Sequence, residues 1–367
     1  MHNHTIPPQY TTMSREALRE RVARRKRELG SRLVVLGHHY QSDDVASLAD
    51  FVGDSLKLSQ QAAALAGVEY VVFCGVHFMA ESADVLSPGA TVVLPHASAG
   101  CAMADMAEDE AVSRAIAEVA SAGGGRAVPI TYVNSTAAVK AATARAGGAC
   151  CTSSNVRNVF AWALAPAGQG GAGADKIFAI PDENLGLNTA VAMGFGPADC
   201  VVYDPRQAYG GLDVEQIRAA RFILWRGHCY VHQRFTADHV RAARQHRPGV
   251  RVMAHPECPR EVVALADEAG STEQIIRAVA NSPDVRDWAI ATESNLVNRL
   301  AKQHPDKCIR TLGDADALCI QMGRVDLPHL LWALDSIADG KPANVVHVPQ
   351  AIADDARTAL ERMIAIP

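Results

Sequence analysis

No run of about 18 apolar residues, the length needed to span a membrane, occurs in this 367-residue chain, although 49% of its residues are hydrophobic. Its apolar residues come in short runs broken by charge, glycine or proline, so no membrane span is expected. No long basic cluster is present either. Lys and Arg number 35 against 40 Asp and Glu, a formal charge of −5, which argues against sequence-independent nucleic-acid binding. The first thirty residues hold no apolar core of a signal peptide, so a cytoplasmic setting with reduced thiols is expected. The nine cysteines include no C-x-x-C pair, which excludes a zinc ribbon. The C-x₃-C-x₂-C pattern usual in radical S-adenosylmethionine enzymes is also missing. So are the P-loop and the G-x-S-x-G nucleophile elbow. GQGGAG at 168–173 matches G-x-G-x-x-G by letter, but it precedes an expected strand instead of opening a helix.

What is present is alternation. Residues 1–12 read as a polar tail, followed by a charged helix to about residue 29 capped by Ser14. From Arg32 onward, apolar runs at 33–36, 70–73, 91–94, 127–132, 176–180, 221–224, 251–254 and 288–291 alternate with helix-length segments such as 44–51 and 55–66. Such alternation predicts α/β units with parallel sheets.

One order of features occurs three times. A strand ends in a polar triplet: His38-His39-Tyr40, Tyr132-Val133-Asn134 and His255-Pro256-Glu257. A hydroxyl cluster then opens a helix, with Ser55, Ser153 and Thr272 some 17, 21 and 17 residues after the triplet start. A second strand leads to Glu81, Glu183 or Glu293, and the last segment ends at Cys101, Cys229 or Cys319. Triplet and cysteine are 63, 97 and 64 residues apart, so the middle copy is enlarged, with Gly/Ala-rich stretches such as 165–174 as insertion loops. The expectation is an N-terminal tail and helix (1–30), three similar three-layer αβα domains (31–105, 106–232, 233–335), and a tail (336–367) packing on the first domain.

Ligands of parallel sheets bind beyond the carboxyl ends of the strands, where triplets, hydroxyls and cysteines all fall. Three dispersed cysteines, one per domain, suit a metal or iron–sulfur cluster at a domain junction. A four-iron cubane so held keeps one iron open as a Lewis acid. Taken singly, each cysteine reads as a small buried hydrophobe, as do Cys74, Cys200 and Cys308; Cys150, Cys151 and Cys258 have no assigned role. The hydroxyls at helix starts suit carboxylates or a phosphate, and singly each reads as an N-cap. His38, Tyr40, Tyr132, His255 and Glu257 are candidate acid–base groups, and Asn134 can orient a carbonyl or amide. His77, His96, His228 and His232 read as structural hydrogen bonders, the last two less clearly because they flank Cys229.

These stretches resemble the quinolinate synthase family. The resemblance rests on GHHYQSDDV (37–45), ADFVGDSLKLS (49–59), AGCAMADM (99–106), TYVNSTAAVKA (131–141), CCTSSN (150–155), PDENLG (181–186), WRGHCYVHQRF (225–235), HPEC (255–258), ADEAGSTEQII (266–276) and IATESNLVNRL (290–300). It implies three α/β domains around a pseudo-threefold axis. It implies a [4Fe–4S] cluster on Cys101, Cys229 and Cys319, and a condensation of iminoaspartate with dihydroxyacetone phosphate to quinolinate, phosphate and water. Substrate contacts are implied for His38, Ser55, Tyr132, Asn134, Ser153, His255, Glu257 and Thr272, and proton transfer for Tyr40. L-aspartate oxidase or aspartate dehydrogenase is the implied supplier of iminoaspartate. Two departures stand out. His39 occupies a variable family position and has no assigned role. Gly313 and Asp316 replace the extra cysteines that some relatives carry before the third ligand, so no disulfide switch is expected there. Two other classes fit three dispersed cysteines. One is an iron–sulfur enzyme resembling the diphthamide radical enzymes, which S-adenosylmethionine consumption would reveal. The other is a non-catalytic iron–sulfur sensor, which would need a partner-binding module.

Overall fold

The structure, a computed structural model, describes residues 6–313 and 316–366. The first five residues of the expected polar tail lie outside the described residues. The chain divides into two compact units. One runs through Cys101 and includes Leu318–Pro349; the other comprises Ala102–Ala317 and the segment from Gln350 on.

The first unit is built on one sheet. Its parallel strands are β1 (Leu33–His38), β2 (Phe51–Gly53), β3 (Tyr70–Cys74) and β4 (Thr91–Val93). The second unit holds two sheets. One consists of β5 (Ala127–Tyr132), β6 (Ala149–Cys151), β7 (Lys176–Ile180), β8 (Cys200–Tyr203) and β9 (Phe222–Trp225). The other consists of β10 (Arg251–Ala254), β11 (Glu268–Ala269), β12 (Asp287–Ala291) and β13 (Cys308–Thr311). A last strand, β14 (Val345–Val346), returns antiparallel to the β4 edge of the first sheet.

The spatial orders are β14-β4-β3-β1-β2, β6-β5-β7-β9-β8 and β11-β10-β12-β13. Leaving out β14 and β8, each sheet reads second, first, third, fourth. The internal repeat is therefore topological as well as sequential. The strand order reverses between the first and third strands of each sheet. That switch point is where parallel sheets open a crevice at their carboxyl ends. The strands form because their Val/Ile/Leu/Phe runs are buried on both faces; all five residues of β7 are buried. Lys176 joins them because its Nζ is donated to the carbonyls of Ile217 and Arg218, at 2.8 and 2.9 Å.

The enlarged middle copy owes its length chiefly to the segment containing β8 and the helix Val214–Ala219, which caps the far edge of the sheet. Tyr203 on β8 stacks on Trp225 with centroids 5.9 Å apart and donates its hydroxyl to Glu118 at 2.5 Å. The eight expected strands are all present, with ends displaced by up to two residues. The expected helix 44–51 shortens to Asp43–Ala46, and Phe51 starts β2. Asp50 ends that loop by accepting the Val35 amide at 2.8 Å.

The tail divides. In the first unit, the helix Arg15–Leu29 packs on Leu327–Ala338 around the buried Asp335. That carboxylate receives Arg21 at 2.8 Å, Arg25 at 2.6 Å and the Tyr10 hydroxyl at 3.0 Å. The terminal helix Gln350–Ala365, expected on the first domain, packs instead on Ala137–Arg145 and β6 in the second unit. The reason is shape: its buried face includes Ala353, Ala356 and Ala359 beside Leu360 and Met363, and the three alanines let it approach an equally alanine-rich helix. Asn155 Nδ2 donates to the carbonyls of Met363 and Ile366, both at 2.9 Å, and holds the last turn in place. Replacing Asp335 with alanine removes the acceptor from three donors; we expect a loss of about 2–3 kcal/mol, read as a lowered thermal midpoint.

Candidate functional site

The three triplets lie at the carboxyl ends of β1, β5 and β10, the first strand of each sheet and one side of each switch point. In the second unit two of them meet. Tyr132 Oη donates to Glu257 Oε1 at 2.5 Å. Glu257 Oε2 lies 2.9 Å from Nδ1 of His232, whose Nε2 is 3.2 Å from Thr292 Oγ1. His255 stacks on His232, with centroids 4.4 Å apart and planes 13° apart. The result is a continuous polar chain, Tyr132–Glu257–His232–Thr292, in which every side chain is buried.

Burial shapes the electrostatics of this chain. Desolvation works against the Glu257 charge, but His232, His255 and the hydrogen bonds from His232 and Tyr132 outweigh it, and the carboxyl is held down at about 2. His255 is pushed the other way, to about 3, first by burial and then by its neighbour His232. It is therefore neutral near pH 7. Its Nδ1 lies 3.3 Å from the Glu257 amide, as His38 Nδ1 lies 3.1 Å from the Tyr40 amide. In both turns the δ nitrogen accepts a backbone N–H from two residues on, which leaves the proton of the neutral ring on Nε2. The repeat thus preserves a tautomer as well as a residue type.

Asp182, behind the same turn, is buried and its pKa is raised by desolvation and by the Glu257 charge. It caps the helix Glu183–Ala192 by accepting the Leu185 amide at 2.8 Å.

In the first unit, His38 and Tyr40 meet edge-on, with ring centroids 4.7 Å apart. Their neighbour Gln41 is buried and donates Nε2 to the Met322 carbonyl at 3.1 Å. That bond ties the loop after β1 to the short helix Ile320–Gly323, which Cys319 immediately precedes.

The hydroxyl residues Ser55, Ser153 and Thr272 are not the helix caps. Asp54 caps Ser55–Ala64 and Ser271 caps Thr272–Ala280, each accepting an amide of the first turn. Ser55 and Thr272 are the first residues inside their helices, and Ser153 lies in the turn before Val156–Leu164. Ser154 donates to Ser271 at 2.8 Å, so two of the hydroxyl clusters adjoin in the second unit. Asn134 Oδ1 is buried with no hydrogen-bond partner.

Each of Cys101, Cys229 and Cys319 follows the fourth strand of its copy (β4, β9 and β13) and stands just before a short helical segment. None of the nine cysteines is in a disulfide, and these three are partly exposed. By contrast, Cys74, Cys150, Cys151 and Cys258 are buried. Burial pushes the thiols of Cys74 and Cys150 up to about 12, which suits inert packing groups. Among the described residues, Cys229, His232 and Glu257 form a group whose ligand atoms lie within 4.8 Å of one another, so they could hold a metal ion. Gly227, two residues before Cys229, lies so close to Pro181 that a Cβ would stand 2.3 Å from the Pro181 carbonyl oxygen. The Cys229 loop is therefore seated on the turn that begins the Asp182 helix.

A family described as NadA, quinolinate synthetase A protein, matches residues 20–365. Quinolinate synthase of Anoxybacillus flavithermus is 49% identical over 98% of this chain and 96% of its own length. The Bacillus subtilis quinolinate synthase is 44% identical over 99% and 97%. The chain belongs to the quinolinate synthetase A family.

Family membership makes the chain an enzyme, and its site contains residues that the sequence reading did not assign. His232 stood among structural histidines, yet it joins Glu257 to Thr292. Its only sequence signal is its place three residues after Cys229. Thr292 and Gln41 carried no signal beyond their presence in stretches shared with the family. Among the described residues, no helix is long and apolar enough to cross a membrane.

The neutral His255 gives a pH prediction. Its ordinary value of 6.5 falls to about 3 on folding. The unfolded chain therefore binds a proton that the folded chain does not, and stability drops as pH falls below 6.5. We expect the thermal midpoint of His255→Asn to fall less steeply than that of the parent between about pH 6.5 and 5.

Proposed function

We propose that the protein is a quinolinate synthase that condenses iminoaspartate with dihydroxyacetone phosphate, releasing quinolinate, phosphate and two waters. It would be a cytoplasmic transferase of NAD biosynthesis, drawing iminoaspartate from L-aspartate oxidase or aspartate dehydrogenase. The observation that carries the reading is the buried Tyr132–Glu257–His232–Thr292 chain at the strand ends in a member of this family. The common strand order of the three sheets supports three similar domains, 31–105, 106–232 and 233–335.

Cys101, Cys229 and Cys319 would hold a [4Fe–4S] cluster. The donor set fits: three partly exposed cysteines at equivalent positions, none in a disulfide, with no fourth equivalent cysteine. When bound, such a cluster supplies Lewis-acid polarisation of a substrate oxygen or nitrogen.

The chain's own residues carry the proton traffic and the binding. Glu257 is ionised and serves as the main base. Tyr132, at 2.5 Å, is the group through which a proton from the enamine-forming carbon reaches it. His255 and His38 present Nε2–H to carbonyl or carboxylate oxygens, and Tyr40 returns protons to leaving oxygens. Ser55, Ser153 and Thr272 bind carboxylates and phosphate beside helix N-termini. Asn134 orients the growing ring, its buried Oδ1 accepting from an N–H or O–H and its Nδ2 donating to a carbonyl. The atoms balance when the enamine carbon joins the phosphate-bearing carbon of the triose as phosphate leaves, the central carbonyl and terminal hydroxyl tautomerise to a central hydroxyl and a terminal aldehyde, nitrogen closes on that aldehyde carbon to make a six-membered ring, and two waters depart.

Anaerobic purification with iron and sulfide analysis, followed by a quinolinate assay from the two substrates, tests the reading. A loaded enzyme that makes no quinolinate from them refutes it. Cys101→Ser should lose both the brown absorbance and turnover; full activity in a colourless variant would count against the cluster. Glu257→Gln should keep the colour and lose turnover by about 100-fold or more, and normal turnover would place the base elsewhere.

A further inference from the structure

The turn that carries Glu257 is held from behind by one side chain. Asn188 lies on the helix Glu183–Ala192 and is 5% exposed. Its Nδ2 donates to the carbonyl of Pro256 at 2.8 Å and to that of Cys258 at 2.9 Å. Those residues flank Glu257 in the chain, so a single amide bridges one carbonyl before the carboxylate and one after it. An asparagine side chain has two N–H donors, and both are used here. Turned over, the amide would set its oxygen against two carbonyl oxygens, so chemistry fixes its orientation. Its Oδ1 is buried with no partner. An unmatched buried acceptor is unfavourable, and packing alone would be better served by leucine, which has the same shape. The donor side accounts for the residue.

The other restraints on the turn are of a different kind. The amides of Glu257 and Cys258 bond within the turn to His255. The His255 amide and the Cys258 thiol bond to Ala291 on the adjacent strand β12. Asn188 instead ties the turn to the helix that follows β7, in the sheet whose β5 ends in Tyr132. It therefore sets the spacing between a carboxylate on one sheet and its phenol partner on another.

We propose that Asn188 is a positioning residue that fixes the Glu257 carboxylate against Tyr132 and His232 by clamping the two carbonyls beside it. The proposal rests on Glu257 being the base of the proposed reaction. Small displacements of such a group are costly in rate and cheap in substrate affinity.

The test compares Asn188→Leu, which keeps the shape and loses both donors, with Asn188→Gln, which keeps the donors at a longer reach. Asn188→Ser stands in if the leucine variant does not fold. In anaerobically loaded enzyme, Asn188→Leu should lower kcat by about 10–100-fold, with both KM values within about threefold and iron content unchanged, and Asn188→Gln should recover part of the rate. Amide hydrogen exchange of the peptide covering residues 255–261 should quicken about tenfold in Asn188→Leu while distant peptides keep the parent rates. A kcat within about threefold of the parent, a loss confined to KM, or unchanged exchange in the peptide overturns the proposal. The exchange measurement needs no substrate. If the parent enzyme makes no quinolinate, the functional reading falls while exchange still decides on the clamp.

Discussion

Glu257 is an ionised carboxylate with almost no access to water, and much of the second unit is arranged around that fact. A charge taken out of solvent is tolerated only where hydrogen bonds and neighbouring charges replace the water it has lost. Tyr132 and His232 supply the bonds. They reach the carboxylate from the ends of β5 and from the loop after β9, so the charge links two sheets that are separate in hydrogen bonding. His255 remains neutral beside this pair first because burial disfavours its charge, and then because of His232, on whose ring it stacks. Even Asp182 is affected: burial first, and then the nearby charge, push its carboxyl up.

The same local device serves more than one copy of the fold. A strand end, a histidine whose δ nitrogen accepts an amide two residues on, and a helix opened by a small polar residue recur in the first and third sheets. The middle sheet replaces the histidine with Tyr132 and the final acidic or phenolic residue with Asn134. One architectural unit thus presents three chemically different faces: a histidine with a tyrosine, a tyrosine with an amide, and a histidine with a glutamate.

Much of this was legible in the sequence, for physical reasons that also explain the rest. Strands with four consecutive buried apolar residues, such as β3, β7, β9 and β12, announce themselves through composition. β2, β6, β11 and β14 have two or three residues each, too few for any periodicity, and exist because a longer neighbour offers them an edge. The candidate hydroxyls were found by position, but their relation to the caps was not, since Asp54 and Ser271 are equally good capping residues one place earlier. His232 and Asn188 could not be assigned because their partners are distant in sequence and one lies inside an ordinary-looking helix. The terminal helix was misplaced because alanines carry little hydrophobic signal, although they pack closely.

The division of the tail has a consequence for how this molecule can be made. The chain passes from one unit to the other after Cys101, after Ala317 and after Pro349. The first sheet therefore waits for β14 to cover its open edge, and the middle sheet waits for residues 350–366 to cover a helix and to fill the bonding capacity of Asn155. A ribosome delivering this chain in order leaves both units unfinished until nearly all of it has emerged. The two units are interleaved in time as well as in sequence, and no single cut would separate them into self-sufficient pieces.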